Sequence, residues 1–308
     1  MATHWGEKRY YSLDYYLKET YGEKLYKISL NGGLSCPNRD GSLGSHGCIF
    51  CSQGGSGDFA EASSYSITEQ IEAGKRQSAA KYKGTSYIAY FQAYTNTYGP
   101  VDYLRKIFTE AIEHPDIKIL SIGTRPDCLD APVLSLLEEL SKIKPVWIEL
   151  GLQTIHPVTA KFIRRGYELP VFKEAVDELH RLGIPIIVHT ILGLPGETEE
   201  MMLKTVAYLN TLPIDGIKFQ LLHVLKDTNL AEVYEKEPFH IYTMEEYLSL
   251  LGKCICSLTP NIVIHRLTGD GPASLLIAPS WTLKKRHFLN QLGAYLKEKD
   301  LWQGKEIL

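Results

Sequence analysis

Long apolar runs are missing from this 308-residue chain. None approaches the roughly 20 residues that a membrane span needs. The stretch MATHWGEKRYYSLDYYLKETYGEKLYK is charged and aromatic throughout, so neither a spanning segment nor a secretory leader is expected. A surplus of either charge is missing too. The 33 basic and 36 acidic residues leave −3, which excludes a global basic field and leaves only a local patch for contact with nucleic acid. Cysteine is sparse, six in all, at positions 36, 48, 51, 128, 254 and 256. Their uneven spacing in a chain expected to be cytoplasmic argues for metal or redox chemistry over a disulfide framework. Low-complexity segments are absent, as are repeats beyond a βα unit. The remaining composition, 44% apolar and 22% charged, suffices for a large core in one big domain or a domain with an appendage.

What is present is an alternation of strand-like and helix-like runs. KLYKISL (24–30), TSYIAYF (85–91), IKILSIG (117–123), PVWIEL (145–150), IPIIVHTILG (184–193) and GIKFQLL (216–222) have the composition of strands. Amphipathic stretches such as PVFKEAVDELHRLG separate them. Several strands are continuously apolar, the pattern of a parallel sheet covered by helices. The expected fold class is α/β. Residues 1–229 form a partial (β/α)6 barrel of the TIM type with a helical lead-in, and residues 230–308 a C-terminal α+β extension packed on it. The extension holds the helical TMEEYLSLLGKCICSL and the short strand NIVIHRL. The site of such a barrel lies at the C-terminal strand ends. The unusual sequences fall there: the cysteine loop, QAYTNT, GTRPD, GLQT, GLPGET and HVLKDT.

The loop CPNRDGSLGSHGCIFC (36–51) holds three of the six cysteines. A structural zinc takes four protein ligands, so Cys36, Cys48 and Cys51 would need His46, only two residues from Cys48. Three thiolates suit better a [4Fe–4S] cluster whose fourth iron stays open to a small molecule. Cys254 and Cys256, two apart on a helix, point in different directions and suit buried thiols. Cys128, with no visible partner, is read as structural.

Together these features resemble the radical S-adenosylmethionine (SAM) superfamily over nearly the whole chain. Its usual signature, Cys-x3-Cys-x2-Cys, keeps its second half here as CIFC, with Phe50 before Cys51, while eleven residues separate Cys36 from Cys48. That enlarged gap accompanies TRPD (124–127), IELGLQ (148–153), RRGY (164–167), VHTILGLPGET (188–198) and LHVLKDT (222–228). The set resembles the Elongator catalytic subunit and, most specifically, the YtqA/YhcC-type group of bacterial radical SAM proteins. The resemblance implies that Cys36, Cys48 and Cys51 ligate the [4Fe–4S] cluster and that SAM is the second cofactor. It implies Phe50 against the adenine and backbone groups of Tyr94, Thr95 and Asn96 at the methionine amino end. Glu149 and Gln153 would hydrogen-bond the amino acid or ribose, and Arg165 would clamp the carboxylate. His189 and Gly193 would mark the backbone approach to adenine, which glycine permits. Gly123 departs from the Elongator pattern, which carries Glu before TRPD.

For activity, the resemblance implies reductive cleavage of SAM to a 5′-deoxyadenosyl radical, with the electron from a flavodoxin- or ferredoxin-type donor. The implied substrate is a tRNA wobble uridine whose C5 side chain is remodelled, for example from carboxymethylaminomethyl to aminomethyl, before a tRNA methyltransferase acts. The chain has no room for Elongator's acetyltransferase domain, so acyl transfer is not expected of this polypeptide. Arg125, Asp127, His223, Lys226 and Arg266 are the substrate-side candidates, and each is equally a candidate for a structural ion pair. A substrate carboxylate would draw Lys226 and Arg266. KRYYSLDYY and KKRH (284–287) suit base stacking and phosphate contact, or else a helix packed on the barrel and a solvated face. Two alternatives stay open: a radical SAM enzyme of small metabolites, and a zinc- or cluster-stabilised binding module.

Overall fold

A computed structural model describes residues 4–55, 60–269 and 271–307. Helix α1 (Leu13–Tyr21) leads into β1 (Tyr26–Leu30), and α2 (Ile67–Ser78), β2 (Tyr87–Phe91), α3 (Val101–Glu113) and β3 (Ile117–Thr124) follow. Next come α4 (Ala131–Ser141), β4 (Val146–Gln153), α5 (Pro157–Phe162), α6 (Leu169–Arg181), β5 (Ile186–Leu192), α7 (Glu199–Leu209) and β6 (Gly216–Leu221). The chain ends with β7 (Val224–Leu225), α8 (Asn229–Lys236), α9 (Met244–Cys256), β8 (Val263–Arg266), β9 (Leu276–Ala278) and α10 (Lys285–Glu298).

The helices begin where side chains satisfy their first amides. Ser66 and Thr243 form capping boxes with Glu69 and Glu246, and Asp130 and Thr198 cap α4 and α7. The buried face of α6, Phe172, Ala175, Val176 and Leu179, has the three-and-four spacing that turns one stripe onto the sheet. Every residue of β2 is buried, as parallel strands between helices and barrel interior require.

The main sheet is parallel throughout, in the order β1-β2-β3-β4-β5-β6-β8. Strand order follows chain order, with β1 and β8 as the two edges, so the sheet is a curled, partly open barrel. The barrel wall holds seven strands, where the sequence suggested six. The short strand from the C-terminal stretch joins the wall as β8, placing Arg266 opposite Lys218. Helix α9 supplies the crossover that a parallel connection demands. Strand β4 also runs three residues beyond its expected end, to Gln153, with a register shift at Gly151. Cys254 and Cys256 are both buried on α9.

Successive inward positions, two apart along each strand, stack in levels. The lowest is apolar: Leu25, Ile88, Ile119, Trp147 and Ile187, closed from below by Leu17 of α1. The tyrosines of KRYYSLDYY belong to this packing. Tyr10 is buried, Tyr11 stacks on Trp5 and Tyr16 lies 6.0 Å from Trp147. Above the plug sits a charged level with Lys27, Tyr90, Ser121, Glu149, His189 and Lys218. Ser29, Gln92, Gly123, Gly151 and Gln220 follow, and then the loops. Among the described residues no helix is long and apolar enough to cross a membrane.

Candidate active site

A cavity of about 990 Å³ opens at the C-terminal strand ends, lined at its mouth by the cysteine loop and at its depth by the charged level. Cys36, Cys48 and Cys51 all line it. Asn38 Nδ2 donates to the Arg164 carbonyl at 2.7 Å and reaches Cys48 Sγ at 3.5 Å. Arg39 Nη2 donates to the carbonyls of Ser52 at 2.5 Å and Cys51 at 3.3 Å. The Cys51 hydrogen bond, with Arg125, Asn38 and Arg39 nearby, brings the Cys48 thiol down to about 7 against burial. Among the described residues no three ligating side chains converge on one point, as a mononuclear zinc site requires. Three free thiols along one cavity wall, with Arg39 and Arg125 close to Cys48, fit a cluster whose irons occupy separate corners.

The strand-end loops carry the conformational strain. Tyr94, Gln153, Arg164 and Asp227 hold φ at 60°, 67°, 56° and 60°, a region that costs a non-glycine residue about 1–3 kcal/mol. Tyr94 is pinned by its amide to Gly55 and by its hydroxyl to the Gln53 carbonyl, and the Thr95 amide donates to Ser35 at 3.1 Å. Gln153 turns into the cavity, where its buried Oε1 has no hydrogen-bond partner. A buried acceptor left in this way suits a ligand that donates to it. Gly123 is explained by crowding, since a Cβ there would come within 3.2 Å of the Phe91 carbonyl. Phe50 lines the cavity and packs on the apolar cluster of Ile49, Ile163, Ile191 and Leu222.

Several expected site residues are committed to the protein itself. Arg165 donates to the carbonyls of Leu152, Thr154 and Tyr167, and so fixes the loop after β4. Arg125 pairs with both oxygens of Asp127 and donates to the Arg165 carbonyl at 2.9 Å. The Tyr167 ring lies between these guanidinium groups, at 5.2 Å from Arg125 and 4.6 Å from Arg165. Asn96 is fully buried and ties β2 to β3 through two bonds to the Gly123 carbonyl. Gly193, with φ at 82°, faces Tyr242. Lys226 is exposed, and neither it nor Asp127, Asn96 or Gly193 lines the cavity. His223 and Arg266 do line it, as does Lys285 of the KKRH segment.

The floor differs most from expectation. Glu149 is 1% exposed, and protein groups occupy both its oxygens. Lys27 at 2.6 Å and Ser121 at 2.9 Å hold Oε1, while His189 at 2.7 Å and Lys218 hold Oε2. Burial opposes ionisation, but Lys218 and Lys27 win and hold the Glu149 carboxyl well below its ordinary range. His189 is pushed down to about 4 by burial and by Lys218. A neutral ring whose Nε2 donates to Glu149 leaves Nδ1 to accept from Gln220, 3.5 Å away. Glu149, expected to meet SAM, lines the cavity and also holds Lys27 and Lys218. Lys27, Lys218 and Tyr90 escaped the sequence reading, and the signal for them was a lysine inside each of two short apolar strands.

Residues 42–209 match the Radical SAM superfamily and residues 214–298 the Radical_SAM C-terminal domain. YtqA of Bacillus subtilis is 41% identical over 97% of this chain and 93% of its own length. YhcC of Escherichia coli K12 is 35% identical over 94% and 93%. A tRNA uridine(34) acetyltransferase of Methanocaldococcus infernus is 26% identical over 59% of this chain and 34% of its own. The solved structure of Methanocaldococcus infernus Elp3 with an N-terminal deletion shares the fold, with a TM-score of 0.68 at 17% identity. That match covers 91% of this chain and 64% of that one. With three cysteines at the mouth of an Elongator-like partial barrel, the chain belongs to the radical SAM superfamily of enzymes, and its cofactors are a [4Fe–4S] cluster and SAM.

Proposed function

We propose that this enzyme uses SAM to remodel the C5 side chain of a tRNA wobble uridine, converting carboxymethylaminomethyl to aminomethyl in the cytoplasm. The observation that carries the reading is the cavity, whose rim of cysteines and whose charged floor are separated by a polar level of Ser29, Gln92 and Gln220. At about 990 Å³ it stands at the top of the range one drug-sized ligand fills, which leaves space for a nucleotide side chain beside SAM. The name of a more distant relative, tRNA uridine(34) acetyltransferase, supports RNA as the substrate class.

Cys36, Cys48 and Cys51 would hold the [4Fe–4S] cluster, with Arg39 and Asn38 fixing their loop, and the cluster would supply the one-electron chemistry for reductive cleavage of SAM and removal of hydrogen from a C–H bond. Phe50 presents an apolar surface to adenine, and Gln153 accepts a hydrogen bond from SAM. The backbone of Tyr94 and Thr95 meets the amino end. Arg165, Arg125 and Asp127 position the loops, and His223 and Arg266 face the substrate. The target base must leave its stack to enter so deep a cavity, at a cost of a few kcal/mol that is least in a single-stranded loop. A flavodoxin- or ferredoxin-type protein supplies the electron, and a tRNA methyltransferase takes the amine produced.

The test is to incubate tRNA from cells lacking the protein with cluster-loaded enzyme, SAM and dithionite, then weigh its wobble nucleoside. The expected result is loss of the carboxymethyl mass. An unchanged nucleoside, with 5′-deoxyadenosine still formed, would turn the reading toward a small metabolite.

A further inference from the structure

Halfway down the cavity, recognition falls to side chains. Ser29, Gln92 and Gln220 line that level beside Gly123 and Gly151, whose missing side chains leave its centre open. The strands here are paired, with Ser29 opposite Tyr90 and Ile191 opposite Gln220, so their backbone groups are spent largely on the sheet.

Gln220 is oriented from below. His189 Nε2 donates to Glu149 at 2.7 Å, and a neutral ring that donates there carries its lone pair on Nδ1. The Gln220 amide lies 3.5 Å from that Nδ1, and only its Nε2 end can face a lone pair. Its Oε1 end then turns away from His189, as an acceptor on a side chain that lines the cavity. Among the described residues no donor meets that oxygen. On β2 the Gln92 amide is disposed alike, with Nε2 donating to Ser29 Oγ at 2.8 Å. The level therefore offers amide oxygens, and a ligand group that donates an N–H suits it.

We propose that Gln220 reads the amine of the substrate's side chain: its Oε1 accepts the N–H of the carboxymethylaminomethyl group, while Glu149 and His189 are positioning residues that hold the amide in this orientation. The inference rests on the reading of such a uridine as substrate and gives that site a specificity residue. A secondary amine donates whether or not it is protonated. An ether oxygen in its place offers Gln220 Oε1 only lone pairs.

Two anticodon stem-loop RNAs test the proposal, one with a carboxymethylaminomethyl group and one with a carboxymethoxymethyl group, in which oxygen replaces the amine nitrogen. Their phosphates and carboxylates are identical. Binding is measured at equilibrium to cluster-loaded enzyme with SAM and no reductant. Wild type is expected to bind the amine form about tenfold more tightly, a difference of ~1.4 kcal/mol. Gln220→Leu and Gln220→Met should each reduce that preference to about twofold or less, with SAM affinity unchanged. His189→Phe should bring it to about threefold, because the freed amide can turn its Nε2 inward. A ratio between two RNAs cancels the general loss that a merely structural role of His189 would produce. Iron content and circular dichroism identify any variant that misfolds, and the wild-type comparison stands without it. Equal binding of both RNAs by wild type, or a preference that survives both Gln220 substitutions, overturns the assignment and leaves the tRNA reading standing. If wild type binds neither RNA, sarcosine and methoxyacetate, which differ in the same N–H, are titrated in their place. Sarcosine favoured about tenfold by wild type, and not by Gln220→Leu, keeps the acceptor while the tRNA reading falls. Any other result of that titration ends both.

Discussion

The rim and the floor of this cavity achieve rigidity by opposite means. At the rim, Arg39 and Arg165 spend their donors on backbone carbonyls, Arg125 divides its donors between Asp127 and the Arg165 carbonyl, and Tyr94, Gln153 and Arg164 hold positive φ in the loops. At the floor, regular strands leave no spare backbone groups, and side chains must satisfy one another around Glu149. The rim is thus suited to holding a cofactor with many polar atoms, which backbone groups can match at each point. The floor holds its charges against fixed partners in a low dielectric.

The largest break in this comparison is at the rim. Cys48→Ser should abolish cluster loading and 5′-deoxyadenosine formation while the fold survives, as iron content and circular dichroism would show. Retained cleavage would contradict the ligand assignment. At the floor, Glu149→Gln leaves two lysines around a neutral amide, and removing one partner of a buried ion pair costs about 3–5 kcal/mol. Urea denaturation should register that loss. The triple change Glu149→Leu, Lys27→Met, Lys218→Met should cost less, because it removes the charges together.

A smaller effect separates the two regions by pH. His189 is held neutral to about 4 in the fold, against an ordinary 6.5. Between these values the unfolded chain binds a proton that the folded one refuses, so stability falls as the solution is acidified from 6.5 toward 4. Glu149, depressed below its ordinary value, adds a further loss beneath about 4.5. The urea midpoint should fall across this window by an amount equivalent to a few kcal/mol, and His189→Gln should flatten the upper part of it. The smallest effect is again at the rim. Asn38→Ala removes a bond to the Arg164 carbonyl and should lower stability by about 1–2 kcal/mol. It should also slow cluster loading, which a purely structural role would not do.

Much of the rim was legible because cysteine spacing and strand-end loops are written in residue types whose chemistry is narrow. CIFC, the TRPD turn and the Gln153 strand end all mark the cavity mouth. The floor was less legible. A lysine in KLYKISL or GIKFQLL looks like a break in an apolar strand, and only the curl of the sheet brings Lys27 and Lys218 to the same carboxylate. Lys226 illustrates the converse: it stands near a strand end, but its exposed side chain lies outside the cavity. The seventh strand was hidden by the long helical stretch before it, although NIVIHRL has the apolar run of a wall strand. The positive φ of Tyr94 and Gln153 had no residue-type signal, since neither is glycine or asparagine.

The most direct test of the central claim is anaerobic. The chain is reconstituted with iron and sulfide, given SAM and dithionite, and its 5′-deoxyadenosine is quantified with and without tRNA from cells lacking the protein. The account predicts cleavage that depends on all three cysteines and rises when that tRNA is added. A protein whose cysteines hold a single zinc, and which leaves SAM intact, would contradict it.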